Sequence, residues 1–410
     1  MISGKNIICF ASGWDFHPTS KHHVMRRLAR HNNVVWVNWH ASRRPRVHPY
    51  DLRMIWDKIR QIGQGAQRVT DSITVVTPFQ VPMPGTSLAR RFNTFTVRRA
   101  VENILETMPT RPVQLWSFAP DVGDLVGRFG EELALYYCVD AFGEFPGYDK
   151  TLIERREREL LDRVDVVIAT SGPLHESKRR LHPNVHLVEH GVDYERLSRA
   201  VTEDLPIPIE LATLRRPIIG YVGVVGEWVD LDLLAALARG CPEASIVVIG
   251  PVLVPHGPCA NLPNVHWLGE RDHVSLPGYL RLFDVGLIPF RHVPLTRSAN
   301  PIKLFEYLAA GVPVVSTGLP SVRPIPNAVW IADDAVRTKR CCEDALARNS
   351  AADRKRRSEL MKAESWEARL ERISAIIDGR GEAQHAEAPA LPADECLDED
   401  LCEPAVMTST

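Results

Sequence analysis

Several catalytic signatures are missing from these 410 residues: no CxxC pair, no HExxH, no Asp-x-Asp at a strand end, and no GxGxxG after the first apolar run. The first three are sequence signs of a thiol redox centre, a zinc hydrolase and a carboxylate-held cation, so no essential metal is expected. Without the fourth, a dehydrogenase built on a nicotinamide cofactor is disfavoured. No segment reaches the ~20 apolar residues that a membrane-spanning helix requires. The opening "MISGKNIICFASGWDFH" has too short an apolar run for a signal peptide. Eight cysteines lie scattered, several inside apolar runs where the side chain acts as a small hydrophobe. A reducing cytoplasm is the expected setting.

Charge of one sign is scarce at each end. Residues 1–100 carry sixteen Lys/Arg against four Asp/Glu, and the last thirty carry eight acidic residues and no Lys or Arg. The net charge of -2 exerts no general pull on nucleic acid, but the basic half suits an anionic surface or substrate. With 45% hydrophobic and 24% charged residues, the composition is that of a globular enzyme, and the length implies two domains.

Along the chain, "KNIICFAS", a helix over "SKHHVMRRLARHN", and "NVVWVNW" open a strand–helix–strand alternation. It continues through "DSITVVTPF", "PVQLWSF", "LALYYCVD" and "VDVVIATS" to "NVHLVEHGVD". The proline-rich "RAVTEDLPIPIELATLRRP" reads as a linker, after which "PIIGYVGVV", "ASIVVIG", "NVHWLG", "DVGLIPF" and "VPVVST" repeat the pattern. The expected division is a Rossmann-like domain at 1–198, a linker at 199–216, a second such domain at 217–365, a crossing helix at 366–379 anchored by Trp366, and an acidic disordered tail at 380–410. Ligands of open parallel sheets bind beyond the carboxyl ends of the strands, so polar residues just after strands are the candidates.

"NPIKLFEYLAAGVPVVST" supplies the first of them. A helix starting near Ile302, behind Asn300 and Pro301, offers free N–H groups and a positive dipole end to an anion. Lys303 adds a full charge there, and Glu306 lies one turn further along the same face, where a carboxylate can accept from a ribose diol. The competing interpretation is a local Lys–Glu pair on a solvated face, worth a few tenths of a kcal/mol.

The same stretch resembles the nucleotide-sugar signature of group 1, or family 4, GT-B glycosyltransferases, in which an E-x7-E motif precedes "A-x-G-x-P-V-V". The resemblance implies two Rossmann-like α/β domains facing across a cleft, with a C-terminal helix crossing back to the first. It aligns the motif's second glutamate with Glu306, on the nucleotide ribose. The first falls on Ser298, a departure that opens the sugar's identity, and Asn300 and Lys303 are the residues at hand to replace its contact. "YVGVVGEW" resembles the family's diphosphate loop and implies a close backbone approach at Gly223, with Glu227 toward the sugar or solvent. "VHWLGERDHVSLPGYL" resembles the base-binding segment and implicates Gly269, Glu270 and Arg271. "EHGVD" and "ESWEARLERI" match the segment before the linker and the crossing helix. In the first half, "LYYCVDAFGEFPG" resembles a subgroup motif that places Asp140 at the cleft as acceptor contact or base, with Glu144 as the competing carboxylate. The loop after the first strand implicates Gly13, Trp14, Asp15 and His22, the last equally readable as a helix-start polar residue.

The resulting expectation is a metal-independent, retaining glycosyltransferase that takes a UDP-sugar and a saccharide or lipid-linked acceptor, in surface polysaccharide or glycolipid assembly. A sugar-nucleotide epimerase of the same shape and a non-catalytic nucleotide-sugar-binding scaffold are the alternatives. "SLARRFNTFTVRRAVENIL", which mixes Arg90, Arg91, Arg98 and Arg99 with Leu88, Phe92, Phe95 and Val97, suggests contact with anionic headgroups at the inner face of a membrane, helped by "ASRRPRVH". An ordinary amphipathic surface helix is the alternative.

Overall fold

The protein was analysed as a computed structural model that describes residues 1–15, 18–40, 42, 60–83 and 85–379. The acidic tail and the basic run at 43–48 lie outside the described residues.

Apolar runs with no polar alternation must be covered on both faces, and they form two parallel sheets flanked by helices. The first joins β1 (Asn6–Ala11), β2 (Asn33–Asn38), β3 (Gln67–Thr70), β4 (Ile73–Val76), β5 (Val113–Ser117), β6 (Leu133–Cys138), β7 (Val166–Ala169) and β8 (Val185–Leu187) in the order β3-β4-β2-β1-β5-β6-β7-β8. The second joins β9 (Ile218–Val222), β10 (Ser245–Ile249), β11 (Val265–Gly269), β12 (Val285–Ile288), β13 (Val314–Ser316) and β14 (Val329–Ile331) in the order β11-β10-β9-β12-β13-β14. Strand order reverses between β1 and β5 and between β9 and β12, which sets the two binding crevices.

Two strands escape the sequence pattern. β3 is exposed along its whole length and pairs antiparallel at the sheet edge, while β14 has three residues. Neither offers enough apolar periodicity to be seen.

The chain passes between the domains twice, and the two passages touch. Val192 N–H donates to Glu364 O (2.9 Å) and Trp366 N–H to Val192 O (3.2 Å). Gly191 is required here, because a Cβ would sit 2.8 Å from the Trp366 backbone. The expected boundary at 198 shifts accordingly: Val192, Leu197, Ala200 and Leu211 pack in the second core. The proline-rich 199–216 segment is not bare linker but carries short helices Arg199–Thr202 and Ile209–Ala212.

Helix Trp366–Ile377 starts at Ser365, whose hydroxyl accepts from Ala368 N–H. Its Trp366, Leu370, Ile373 and Ile376 recur on one face and pack in the core of the first domain. Arg27 in helix Ser20–Leu28 ties that return in place, bonding Glu367 at 2.7 Å and Asp193 at 3.3 Å.

Candidate active site

A cavity of about 590 Å³ lies between the carboxyl ends of the two sheets and takes its walls from both domains. Its floor on the second domain is backbone. Gly223 and Gly250 follow β9 and β10 with φ of 142° and 138°. A Cβ on Gly250 would meet Gly223 O at 2.2 Å, so these loops close up only as glycines.

Helix Ile302–Ala309 points its first turn into the cavity, where Pro301, Ile302, Lys303 and Glu306 all line the wall. Pro301 itself is the N-cap. Tyr307 locks the helix to the sheet, its hydroxyl accepting from Val222 N–H at 2.7 Å. Lys303 and Glu306 do not pair. The Lys303 ammonium lies 4.5 Å from the Phe290 ring centre and 5.2 Å from that of Tyr221, with no hydrogen bond or ion pair to any described residue. Burial pulls its pKa down to about 8, with Glu306 acting the other way. A cation held on aromatic faces beside a bare glycine and a helix N-terminus has the electrostatics to receive an anion.

Glu306 faces His273, whose Nε2 lies 3.4 Å from Oε1. The His273 Nδ1 lies 2.9 Å from Arg196 Nη1. Because arginine only donates, Nδ1 accepts, and the proton sits on Nε2, directed at Glu306. Arg196 continues to Asp193 (3.4 Å) and thence to Arg27, so the Glu306 carboxylate on the cavity wall is linked to the interdomain crossing.

Asn300 is 5% exposed and lines the cavity, yet neither polar atom of its carboxamide has a partner among the described residues. Unsatisfied buried amides are rare in a folded chain, and this one has both a donor and an acceptor free toward the cavity. Ser298 is outside the lining. Its carbonyl accepts from Ser171 Oγ at 2.7 Å, joining the domains. Arg271 lines the wall but is engaged by Glu210 (2.8 Å) and Tyr279 (2.9 Å). Glu270 is exposed and off the cavity, contributing a backbone carbonyl to Arg271. Glu227 is likewise exposed, and its neighbour Trp228 does the lining.

On the first domain, Asp140 lines the cavity two residues past β6. Thr170 holds that turn by donating to Val139 O (3.1 Å). Burial raises the Asp140 pKa to about 7 against the opposing pull of Lys21. Glu144 instead pairs with Lys150 and does not reach the cavity.

The loop after β1 enters differently from expectation. Gly13, Trp14, Asp15 and His22 do not line the cavity, whereas Ser12 and Pro18 to Lys21 do. Trp14 turns inward, edge-on to Trp36 at 5.0 Å, and its N–H donates to Asn38 Oδ1. Asp15 is exposed and accepts from Gln61. His22 is buried. It accepts from Thr19 N–H through Nδ1 and donates from Nε2 to Trp14 O (3.0 Å), and burial pulls its pKa to about 3. His22 therefore braces the loop, and its neighbour Lys21 is the residue presented.

Lys21 was not legible as a site residue. It donates to Ser12 Oγ, and burial lowers its pKa to about 8, with Cys9 and Asp140 opposing. His190, 4% exposed with Nδ1 unpartnered among the described residues, and His273 also line the wall unannounced. Phe118, Phe142, Phe145 and Tyr148 complete an aromatic wall on the first domain. Among the described residues, no group of three or more His, Cys, Asp and Glu is placed to hold a metal ion.

Comparison with known proteins fits this geometry. The family model "Glycosyl transferases group 1" matches residues 216–345, the domain with the glycine floor and Lys303. A Bacillus subtilis protein named for teichuronic acid biosynthesis, the glycosyltransferase TuaH, is 27% identical over 280 residues, covering 63% of this chain and 70% of that one. Among solved structures, Anabaena HepE in complex with UDP-glucose superposes with a TM-score of 0.63 at 11% identity, covering 91% of this chain and 99% of HepE. The Escherichia coli trehalose-6-phosphate structure, bound with UDP-2-fluoro glucose, gives 0.61 at 13% identity, over 92% and 99%. These superpositions establish the GT-B fold.

Proposed function

We propose that this chain, a group 1 glycosyltransferase of the GT-B fold, moves a hexosyl group from a UDP-sugar on its second domain to an acceptor hydroxyl on its first. The observation that carries the reading is Lys303: a half-buried lysine whose ammonium has no carboxylate partner among the described residues, set against Gly223 at a helix N-terminus. A diphosphate supplies the charge that this group lacks. Glu306, steadied by the Nε2–H of His273, accepts from the ribose diol, and Asn300 meets hydroxyls of the sugar.

In the reaction the bond from sugar C1 to the diphosphate oxygen breaks and one from C1 to the acceptor oxygen forms. The departing UDP carries a new negative charge, which Lys303 and the helix N-terminus stabilise without a metal. Resemblance to the family implies retention of configuration, in which the leaving diphosphate takes the acceptor's proton and Asp140 orients the hydroxyl. The raised Asp140 pKa favours a second reading, inversion with Asp140 as general base. The product's anomeric configuration distinguishes them.

The assignment to teichuronic acid biosynthesis in the TuaH relative's name supports an acceptor in cell-surface polysaccharide or glycolipid assembly. Work at the inner face of an anionic membrane belongs to the same proposal. No helix among the described residues is long and apolar enough to cross a membrane. The test is UDP release from a panel of UDP-sugars, with and without saccharide and lipid-linked acceptors. Acceptor-stimulated release with a new glycoside supports the reading; epimerised donor, or binding without turnover on every acceptor, contradicts it.

A further inference from the structure

Lys21 is the one lysine or arginine that the first domain gives to the cavity among the described residues. It stands in the first turn of helix Ser20–Leu28, a turn without acidic residues. Its ammonium donates to Ser12 Oγ, which carries no charge, and it forms no ion pair with a described carboxylate. The acidic groups that act on it are Cys9 and Asp140. Burial holds the Cys9 thiol in its neutral form and pushes the Asp140 carboxyl up to about 7. Neither supplies a full counter-charge at neutral pH. A part-buried ammonium in that position is costly until a ligand brings the missing anion. In the proposed reaction the donor's diphosphate is already met by Lys303, on the opposite wall.

The wall beside Lys21 is aromatic. Trp39 lines it with its indole fixed from behind, Nε1–H donating to Asp121 Oδ1 at 2.7 Å and Ser42 Oγ donating to the same oxygen at 2.9 Å. Phe10 packs against Trp39 edge to face at 6.1 Å. Phe118, Phe142 and Phe145 continue the surface. Fixed aromatic faces broken by a few polar groups suit a sugar ring, which sets its C–H face on the aromatics and its hydroxyls on the polar groups. Lys21 and Asp140 are near enough to act on each other's charge. A hydroxyl at the second and an anion at the first therefore belong to one ring or to adjoining rings.

We infer that the acceptor is an acidic sugar, a pyranose whose carboxylate or phosphate meets Lys21 while its ring lies on the aromatic wall and its reacting hydroxyl faces Asp140. The inference rests on the sugar-transfer reading and makes Lys21 the residue that selects the acceptor.

Calorimetry on the full chain saturated with UDP tests it, since UDP occupies Lys303 and leaves Lys21 free. The probes are glucose, glucuronate and glucose 6-phosphate, with galactose, galacturonate and galactose 6-phosphate beside them. An acidic sugar should bind at least about tenfold tighter than its neutral match. The tighter of the two acidic forms identifies carboxylate or phosphate as the group. Lys21→Met should erase the preference and Lys21→Arg should keep it, with UDP affinity within about twofold in both. Trp39→Leu should weaken neutral and acidic sugars alike. Acidic sugars that bind no tighter than neutral ones, a preference that survives Lys21→Met, sugar binding that Trp39→Leu leaves intact, or UDP affinity lost with Lys21 would overturn the inference. Failure of the donor reading has its own sign, a chain that binds no UDP, and the Lys21 dependence of acidic-sugar binding is then read without it.

Discussion

The two walls of the cleft are built in different ways. The wall on the second domain, the donor wall of the proposed function, is mostly backbone and one helix: Gly223, Gly250 and the first turn of Ile302–Ala309, with Lys303, Glu306 and Asn300 drawn from seven consecutive residues. The wall on the first domain, the acceptor wall of the same proposal, is assembled from side chains on separate loops, with Ser12 and Lys21 after β1, Asp140 after β6 and His190 near the crossing. In the proposed function, the first wall meets the constant nucleotide and the second presents a reactive pair to a variable partner.

Substitutions on the two sides should therefore fail differently. The largest effect is expected from Asp140→Asn, which should lower kcat about 10²–10⁴-fold. The same change should stabilise the fold. The folded pKa is raised from 3.8 to about 7, so ionisation in the native state costs free energy. That cost is absent below pH 3.8, grows as pH rises toward about 7, and is fully present above it. Removing the carboxylate should thus gain about 1–3 kcal/mol at neutral pH, measured by denaturant unfolding, and nothing at low pH.

Next comes Lys303→Met, which should lower kcat/KM about 10²–10³-fold. In the unaltered protein, donor affinity should fall as pH rises through about 8, where Lys303 loses its charge. Calorimetric titration of UDP across that range reads the loss, and Lys303→Met should abolish the dependence.

A smaller effect is expected at the second layer of the donor wall. His273→Ala should raise the donor KM about fivefold with kcat retained, because Glu306 loses a single hydrogen bond. His273→Gln, which can still donate, should recover most of it. A merely structural role would not be rescued in that way. The smallest effect should come from Glu144→Gln and Asp15→Asn, both within about twofold in kcat/KM, since neither side chain reaches the cavity.

The same contrast explains what the sequence made legible. The donor wall is continuous in the chain, so a helix start, a lysine and a carboxylate one turn on could be recognised together. The two sheets and the crossing helix were legible because unbroken apolar runs and the Trp366 stripe have clear periods. The loop after β1 was not. Trp14 is drawn inward by Asn38 and Trp36, and His22 is consumed in holding Trp14 and Thr19, which leaves Lys21 as the cleft residue. Those partners are tens of residues away or hidden in side-chain geometry. The early entry of Val192 and Leu197 into the second core, and Glu210's hold on Arg271, are likewise tertiary facts with no local sign.

The division of labour across the cleft is tested most directly by UDP binding to Glu306→Ala and Asp140→Asn, measured side by side by calorimetry. Loss of at least about tenfold in affinity in the first, from a hydrogen-bonded charge removed, and a constant within about twofold in the second, is the expected result. Equal weakening by both, or undiminished UDP affinity in Glu306→Ala, would contradict it.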